Sequence, residues 1–109
     1  MNLLFVCSRN QWRSPTAEAI YKDHPTHSVR SAGTEPSARI KVSEKLVRWA
    51  DLIFAMEKRH KQRLIERFGD AVRDKSIIVL DIADDYAFMD DELVGAIQLA
   101  VEPYLEDEA

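Results

Sequence analysis

The chain has 109 residues, 46% of them hydrophobic, and a formal net charge of −4, with 15 Lys and Arg against 19 Asp and Glu. That is room for one hydrophobic core, so residues 1 to 109 are expected to form a single domain. An acidic balance argues against a broad nucleic-acid-binding face, and a lone cysteine excludes a disulfide framework or a Cys-based zinc cluster.

A single thiol fits a reducing compartment, so the expected location is the cytoplasm. No apolar run approaches the roughly 18 residues that a membrane span needs, and residues 3 to 6 are too few for a signal peptide.

The elements alternate along the chain. Residues 2 to 6 (NLLFV) are a continuous apolar run that suits a strand buried on both faces. A helix is expected to open at Ser14 as N-cap, with Pro15 at its first position, and to stop before Pro25. Residues 27 to 32 (HSVRSA) read as a more polar edge strand closed by Gly33. Val42, Leu46 and Trp49 are spaced for a helix over 43 to 49, and residues 52 to 56 (LIFAM) form a third strand. A charged helix over about 57 to 68 is expected to end at Phe68-Gly69, and residues 76 to 80 (SIIVL) supply the fourth strand. The last helix starts at the acidic cluster Asp90, Asp91 and Glu92, carries Leu93 or Val94, Ile97, Val101 and Leu105 on one stripe, and is expected to kink or end early at Pro103. This rhythm calls for an α/β fold, three layers with a four-stranded parallel sheet between helices.

In such sheets, ligands bind beyond the carboxyl ends of the strands, where loops lead into helix N-termini. Residues 7 to 13 (CSRNQWR) occupy that point after the first strand. Backbone N–H groups of such a turn can converge as an anion nest, and the helix dipole adds positive charge there. The same environment favours a thiolate at Cys7 without a histidine base. Arg13 supplies a planar fork for two oxygens of a tetrahedral phosphate. Covalent phosphoryl transfer onto sulfur followed by hydrolysis is the chemistry these parts suit. The loop at residues 81 to 91 (DIADDYAFMDD) follows the fourth strand and so reaches the same sheet edge, where a carboxylic acid could protonate a leaving group.

The stretch CSRNQWRSPTAE, residues 7 to 18, resembles the C-x5-R-S-P signature of the low-molecular-weight protein tyrosine phosphatases. SAGT at 31 to 34, the ADLI run at 50 to 53 leading to Met56, and the acidic loop around Asp84-Asp85-Tyr86 follow in that family's order. The resemblance implies a Rossmann-like sheet of order 2-1-3-4. It implies Cys7 as nucleophile, Arg13 as phosphate clamp and Asp84 as general acid, with Asp85 the alternative acid and Asp81 a further carboxylate at the strand end. Asn10 would hold a left-handed backbone position and Ser14 would donate a hydrogen bond to the thiolate. Ser8, Arg9, Gln11 and Trp12 would complete the phosphate and substrate contacts, and Tyr86 would stack on an aromatic substrate. No cofactor or metal is implied. The expected partners are a phosphorylated protein or a small phosphate ester, with inorganic phosphate as product, no nucleic acid and no membrane, for a monomer or weak dimer.

Some positions depart from the family pattern. Trp12 stands where many members carry a second cysteine, so an oxidised Cys7 has no internal disulfide partner. Asp85 replaces the usual proline, which loosens the loop and puts a second charge beside Asp84. Arg9 and Gln11 make the rim more polar, and Arg9 offers contact to a second anionic group. The chain is also shorter than typical members, mainly between Gly33 and Leu46, which predicts a shallower pocket on that side. Two other readings follow from these departures: a non-catalytic phosphate- or phosphopeptide-binding module, and a thiol-dependent arsenate reductase. The cationic stretch at 57 to 67 (EKRHKQRLIER) reads as a solvated helix face, and His24, His27 and His60 as surface residues without metal spacing. Trp49 is expected in the core.

Overall fold

The computed structural model describes residues 1–105 of the chain. Strand β1 (Asn2–Cys7) lies at the centre of a parallel sheet, flanked by β2 (Ser28–Gly33) and β3 (Leu52–Ala55), with β4 (Ser76–Val79) beyond β3. The order β2-β1-β3-β4 is the one expected, and the polar β2 is indeed an edge.

A strand's side chains alternate between faces, so β1 feeds two cores. Leu3, Phe5 and Cys7 face one layer, where Ala17 and Tyr21 of α1 (Arg13–Tyr21) pack with Leu93, Ile97 and Val101 of α4 (Asp91–Val101). Leu4 and Val6 face the other, with Val47 of α2 (Glu44–Trp49) and Leu64, Ala71 and Val72 of α3 (Lys58–Val72). Phe5 stacks on Phe54 of the neighbouring strand at 5.0 Å between ring centres. The apolar run at β1 is continuous because both of its faces are covered. Trp49 is only half-buried at the edge of the second core, with the Arg30 guanidinium 4.5 Å above its ring.

Two expectations about elements change. Ser14 is not the N-cap of α1: the helix already includes Arg13, and the Ser14 hydroxyl turns inward to the Cys7 sulfur instead of capping backbone N–H groups. Helix α3 does not end at Phe68-Gly69 but bends there, at Phe68 with φ −128° and ψ 32°. It then resumes to Val72, because Ala71 and Val72 still have core to bury. Pro103 does end the last helix, which tightens into a 3-10 turn over Glu102–Tyr104.

The segment after β2 doubles back along the loop that follows β1. Gly33 lies against that loop so closely that a Cβ there would stand 2.5 Å from the Ser8 carbonyl oxygen and 2.7 Å from the Ala38 Cβ. Neither obstacle is a flexible side-chain tip, so Gly33→Ala should destabilise the fold by about 1–3 kcal/mol, as overpacking of a tight site does. Urea denaturation followed by circular dichroism measures it, and an unchanged midpoint would refute the close approach.

Candidate active site

Cys7 ends β1 and is 3% exposed. The carbonyls of the next residues are all taken from outside by the chain that follows Gly33. Cys7 O accepts from Thr34 N (2.9 Å), Ser8 O from Glu35 N (2.9 Å), Arg9 O from Arg39 N (3.0 Å) and Asn10 O from Arg39 Nε (3.1 Å). In a trans peptide the C=O and the next N–H point in opposite directions. Holding four carbonyls outward therefore directs the N–H groups of Ser8, Arg9, Asn10 and Gln11 inward. Asn10 N–H already donates to Cys7 Sγ at 3.3 Å. The result is a nest of amides around the sulfur at the start of α1, an arrangement made for an oxyanion.

The turn is tight enough to need a left-handed residue, and Asn10 takes it with φ 56°. Its side chain is fully buried and donates to Ser14 Oγ (2.8 Å) and Ser31 Oγ (2.9 Å). Ser31 Oγ in turn donates to Glu18 of α1. Ser14 Oγ, having accepted from Asn10, has its own proton for Cys7 Sγ at 2.9 Å, closer than its other acceptor, Ala32 O, at 3.4 Å. Two donors, the Asn10 amide and the Ser14 hydroxyl, thus converge on the one sulfur.

Arg13 is 2% exposed, and its charge is held in place from below. Nη1 donates to Glu57 Oε2 at 2.5 Å and to the Ile82 carbonyl at 2.8 Å. Both anchors use Nη1, so Nε and Nη2 are the part of the fork that can take an oxyanion. Asp84 Oδ1 is 3.7 Å from Nε. Ile82 is buried and its N–H donates to Met56 O, so the acidic loop is pinned to the sheet edge two residues before Asp84. At its other end, Met89 N–H donates to Thr16 Oγ1 of α1 (2.9 Å).

These groups surround one cavity of about 480 Å³, lined by Cys7, Ser8, Arg9, Gln11, Trp12, Arg13 and Asp84, and also by Glu35, Arg59 and Arg63. The structure thus brings most of the sequence-derived candidates together. Asn10 and Ser14 lie behind the sulfur and do not line the cavity. Asp85 is exposed and does not line it either. Tyr86 is half-buried against the α1/α4 core instead of the cavity, since loop anchoring at Ile82 turns its ring inward. The aromatic wall is Trp12, 46% exposed.

Glu57 and His60 escaped the sequence reading, which placed them on a solvated face. They form the capping box of α3: the Glu57 side chain accepts from the His60 backbone, and Glu57 N–H donates to His60 Nδ1 at 3.0 Å. The Glu57 carboxylate then anchors Arg13. Burial alone would raise its pKa, but hydrogen bonds from Arg59 and Arg13, with their charges, bring it below the usual range. His60 is 1% exposed, so it is not a surface residue. Because Nδ1 accepts, the ring proton sits on Nε2 and donates to Ser8 Oγ at 2.9 Å, leaving the Ser8 hydroxyl proton for the cavity. Burial, and then the charges of Arg13 and Arg59, push His60 down to about 4. One cap thereby positions both ends of the loop, Ser8 through His60 and Arg13 through Glu57. The E-x-x-H spacing directly after the third strand was the signal available. His27 is buried as well, with Nδ1 3.1 Å from the N-terminal amine, while His24 is half-buried.

Among the described residues, no cluster of three or more His, Cys, Asp or Glu is placed to hold a metal, and no helix is long and apolar enough to cross a membrane. A parallel α/β sheet presenting a thiol inside an amide nest, with a buried arginine beside it, defines the class of thiol-based phosphoryl-transfer domains. No family model matches the chain. A protein-arginine-phosphatase of Bacillus subtilis is 33% identical in an alignment that covers 69% of this chain and 67% of that protein. The low molecular weight protein-tyrosine-phosphatase Wzb of Escherichia coli K12 is 37% identical in an alignment that covers 60% of each, so the chain spans about three fifths of Wzb. Of the solved structures, a YwlE arginine phosphatase carrying a phosphorylated active-site serine in place of its cysteine superposes with a TM-score of 0.76 at 26% identity, covering 99% of this chain and 98% of that one. Wzb from Escherichia coli K30 with phosphate shares the fold, with a TM-score of 0.79 at 20% identity and coverage of 99% and 98%. The chain belongs to the low-molecular-weight protein tyrosine phosphatase family of hydrolases.

The His60 geometry predicts a pH dependence. Folded His60 stays neutral down to about pH 4, whereas an unfolded histidine takes its proton near 6.5. Between these values the unfolded state binds more protons, so stability is full above pH 6.5 and falls by roughly 3 kcal/mol by pH 4. Glu57, its carboxyl lowered in the folded state, adds a loss of the same sign at lower pH. Denaturation midpoints measured from pH 7.5 to 4 should fall in the wild type and fall much less in His60→Gln; equal slopes would refute a buried neutral His60.

Proposed function

We propose that this protein is a cysteine-dependent phosphatase that hydrolyses phosphomonoesters, of phosphotyrosine or small aryl type, through a phosphocysteine intermediate. The observation that carries this reading is the convergence of the Cys7 sulfur, the inward amides and the anchored Arg13 fork on one cavity. The Cys7 thiolate attacks phosphorus in line as the P–O bond to the leaving group breaks, and Asp84 gives its proton to the departing oxygen. Charge on the transferring phosphoryl oxygens is met by the amides of residues 8 to 11 and by Nε and Nη2 of Arg13. Asp84, now a carboxylate, takes a proton from water as the water oxygen attacks phosphorus; the S–P bond breaks, and inorganic phosphate and the thiolate return. Asp84 fits this role better than Asp85, because it faces the cavity. In this reading residues 1 to 109 form one domain, supported by both cores sharing one sheet. The lone cysteine supports a cytoplasmic location.

A second reading, hydrolysis of phosphoarginine in proteins, is favoured by one feature. Glu35 joins Asp84 as a second carboxylate lining the cavity, able to accept guanidinium N–H groups.

Hydrolysis of an aryl phosphate tests the main reading. Cys7→Ser should abolish turnover while phosphate binding persists. Asp84→Asn should lower kcat by about 10²- to 10⁴-fold for poor leaving groups and far less for nitrophenolate. A wild type that binds phosphate without turning over any aryl ester would leave only a binding module. Release of phosphate from phosphoarginine faster than from phosphotyrosine would install the second reading.

A further inference from the structure

Four of the side chains lining the cavity are arginines, in a chain of net charge −4. The transferring phosphoryl group needs the amides and Arg13, so the others are surplus to the chemistry. Arg59 and Arg63 stand four residues apart on α3 and therefore on one face of it. A small recess lined by Ser8, Glu35, Arg59 and Arg63 joins that face to the cradle. Both arginines are more than half exposed: Arg59 holds Glu57 at 3.1 Å, and Arg63 meets Glu35 only at 3.6 Å. Exposed pairs of this kind bind weakly and exchange readily. The Glu35 carboxylate thus marks where an incoming carboxylate would sit.

We propose that Arg59 and Arg63 form a second anion subsite that takes an acidic side chain flanking the phosphorylated residue, so that the preferred substrate is an acidic segment of a phosphorylated protein. The proposal rests on the phosphatase reading above. Substrate and Glu35 compete for Arg63, which supplies a test of opposite sign to simple damage. Arg59 also steadies Glu57, so the informative variants are at Arg63 and Glu35.

Two phosphotyrosine peptides that differ only in flanking Glu against Gln provide the comparison. The wild type should favour the acidic peptide in kcat/KM by about five- to tenfold at low salt, the size expected of one or two rim charges. Raising the salt to about 0.5 M should remove the preference. Arg63→Gln should reduce it, Arg63→Glu should reverse it, and Glu35→Gln should enlarge it. The dissociation constants of both peptides from the Cys7→Ser protein should show the same ratios. Equal values for the two peptides, or a preference untouched in Arg63→Glu, would overturn the subsite. Absence of turnover with a retained binding preference would instead overturn the phosphatase reading and leave the subsite standing.

Discussion

Burial of the Arg13 charge is the constraint on which the site depends. A guanidinium withdrawn from water is costly unless a partner and hydrogen bonds replace its hydration. Glu57 and the Ile82 carbonyl provide that replacement from two different strand ends, those of β3 and β4. Arg13 itself begins the helix after β1. One side chain therefore ties three strand ends together, and the acidic loop follows because Ile82 belongs to it. Removing Glu57 would leave the buried charge with the more distant Asp84, at 3.7 Å, as its carboxylate partner, which is why a residue remote from the sulfur belongs to the same unit.

The nucleophile loop is shaped from outside as much as from within. Its own sequence contains no glycine, yet it turns its amides inward because Thr34, Glu35 and Arg39 occupy its outward carbonyls. Gly33 permits the approach by lacking a Cβ. The segment between Gly33 and α2 supplies the residues that brace the loop.

The cavity wall follows from the same anchoring. With Ile82 tied to Met56 and Arg13, Tyr86 packs into the α1/α4 core, and Trp12 is left as the aromatic surface beside the thiol. The rim is polar and mainly cationic, with Asp84 and Glu35 set among arginines. An acidic protein has thus gathered positive charge at one place, which steers anionic substrates locally without a broad basic face.

Much of this was legible in the chain itself. Apolar runs at residues 2 to 6 and 52 to 56, alternating with helical spacing, determine a parallel α/β sheet because only strands covered on both faces can be continuously apolar. Cys7 and Arg13 at the end of the first strand place the chemistry, since local sequence sets both the strand end and the helix start. Residues whose partners are distant in sequence were not legible. Glu57 and His60 look like a solvated helix start until the fold brings Arg13 and Ser8, 44 and 52 residues away, against them. Local patterning reads Ser14 only as a helix cap, and it took the family resemblance to pair it with the sulfur, while Tyr86 reads as a pocket wall until its loop is pinned. Periodicity and spacing record which face a residue turns inward; only tertiary structure decides what it meets there, because those contacts join segments with no local rule to connect them.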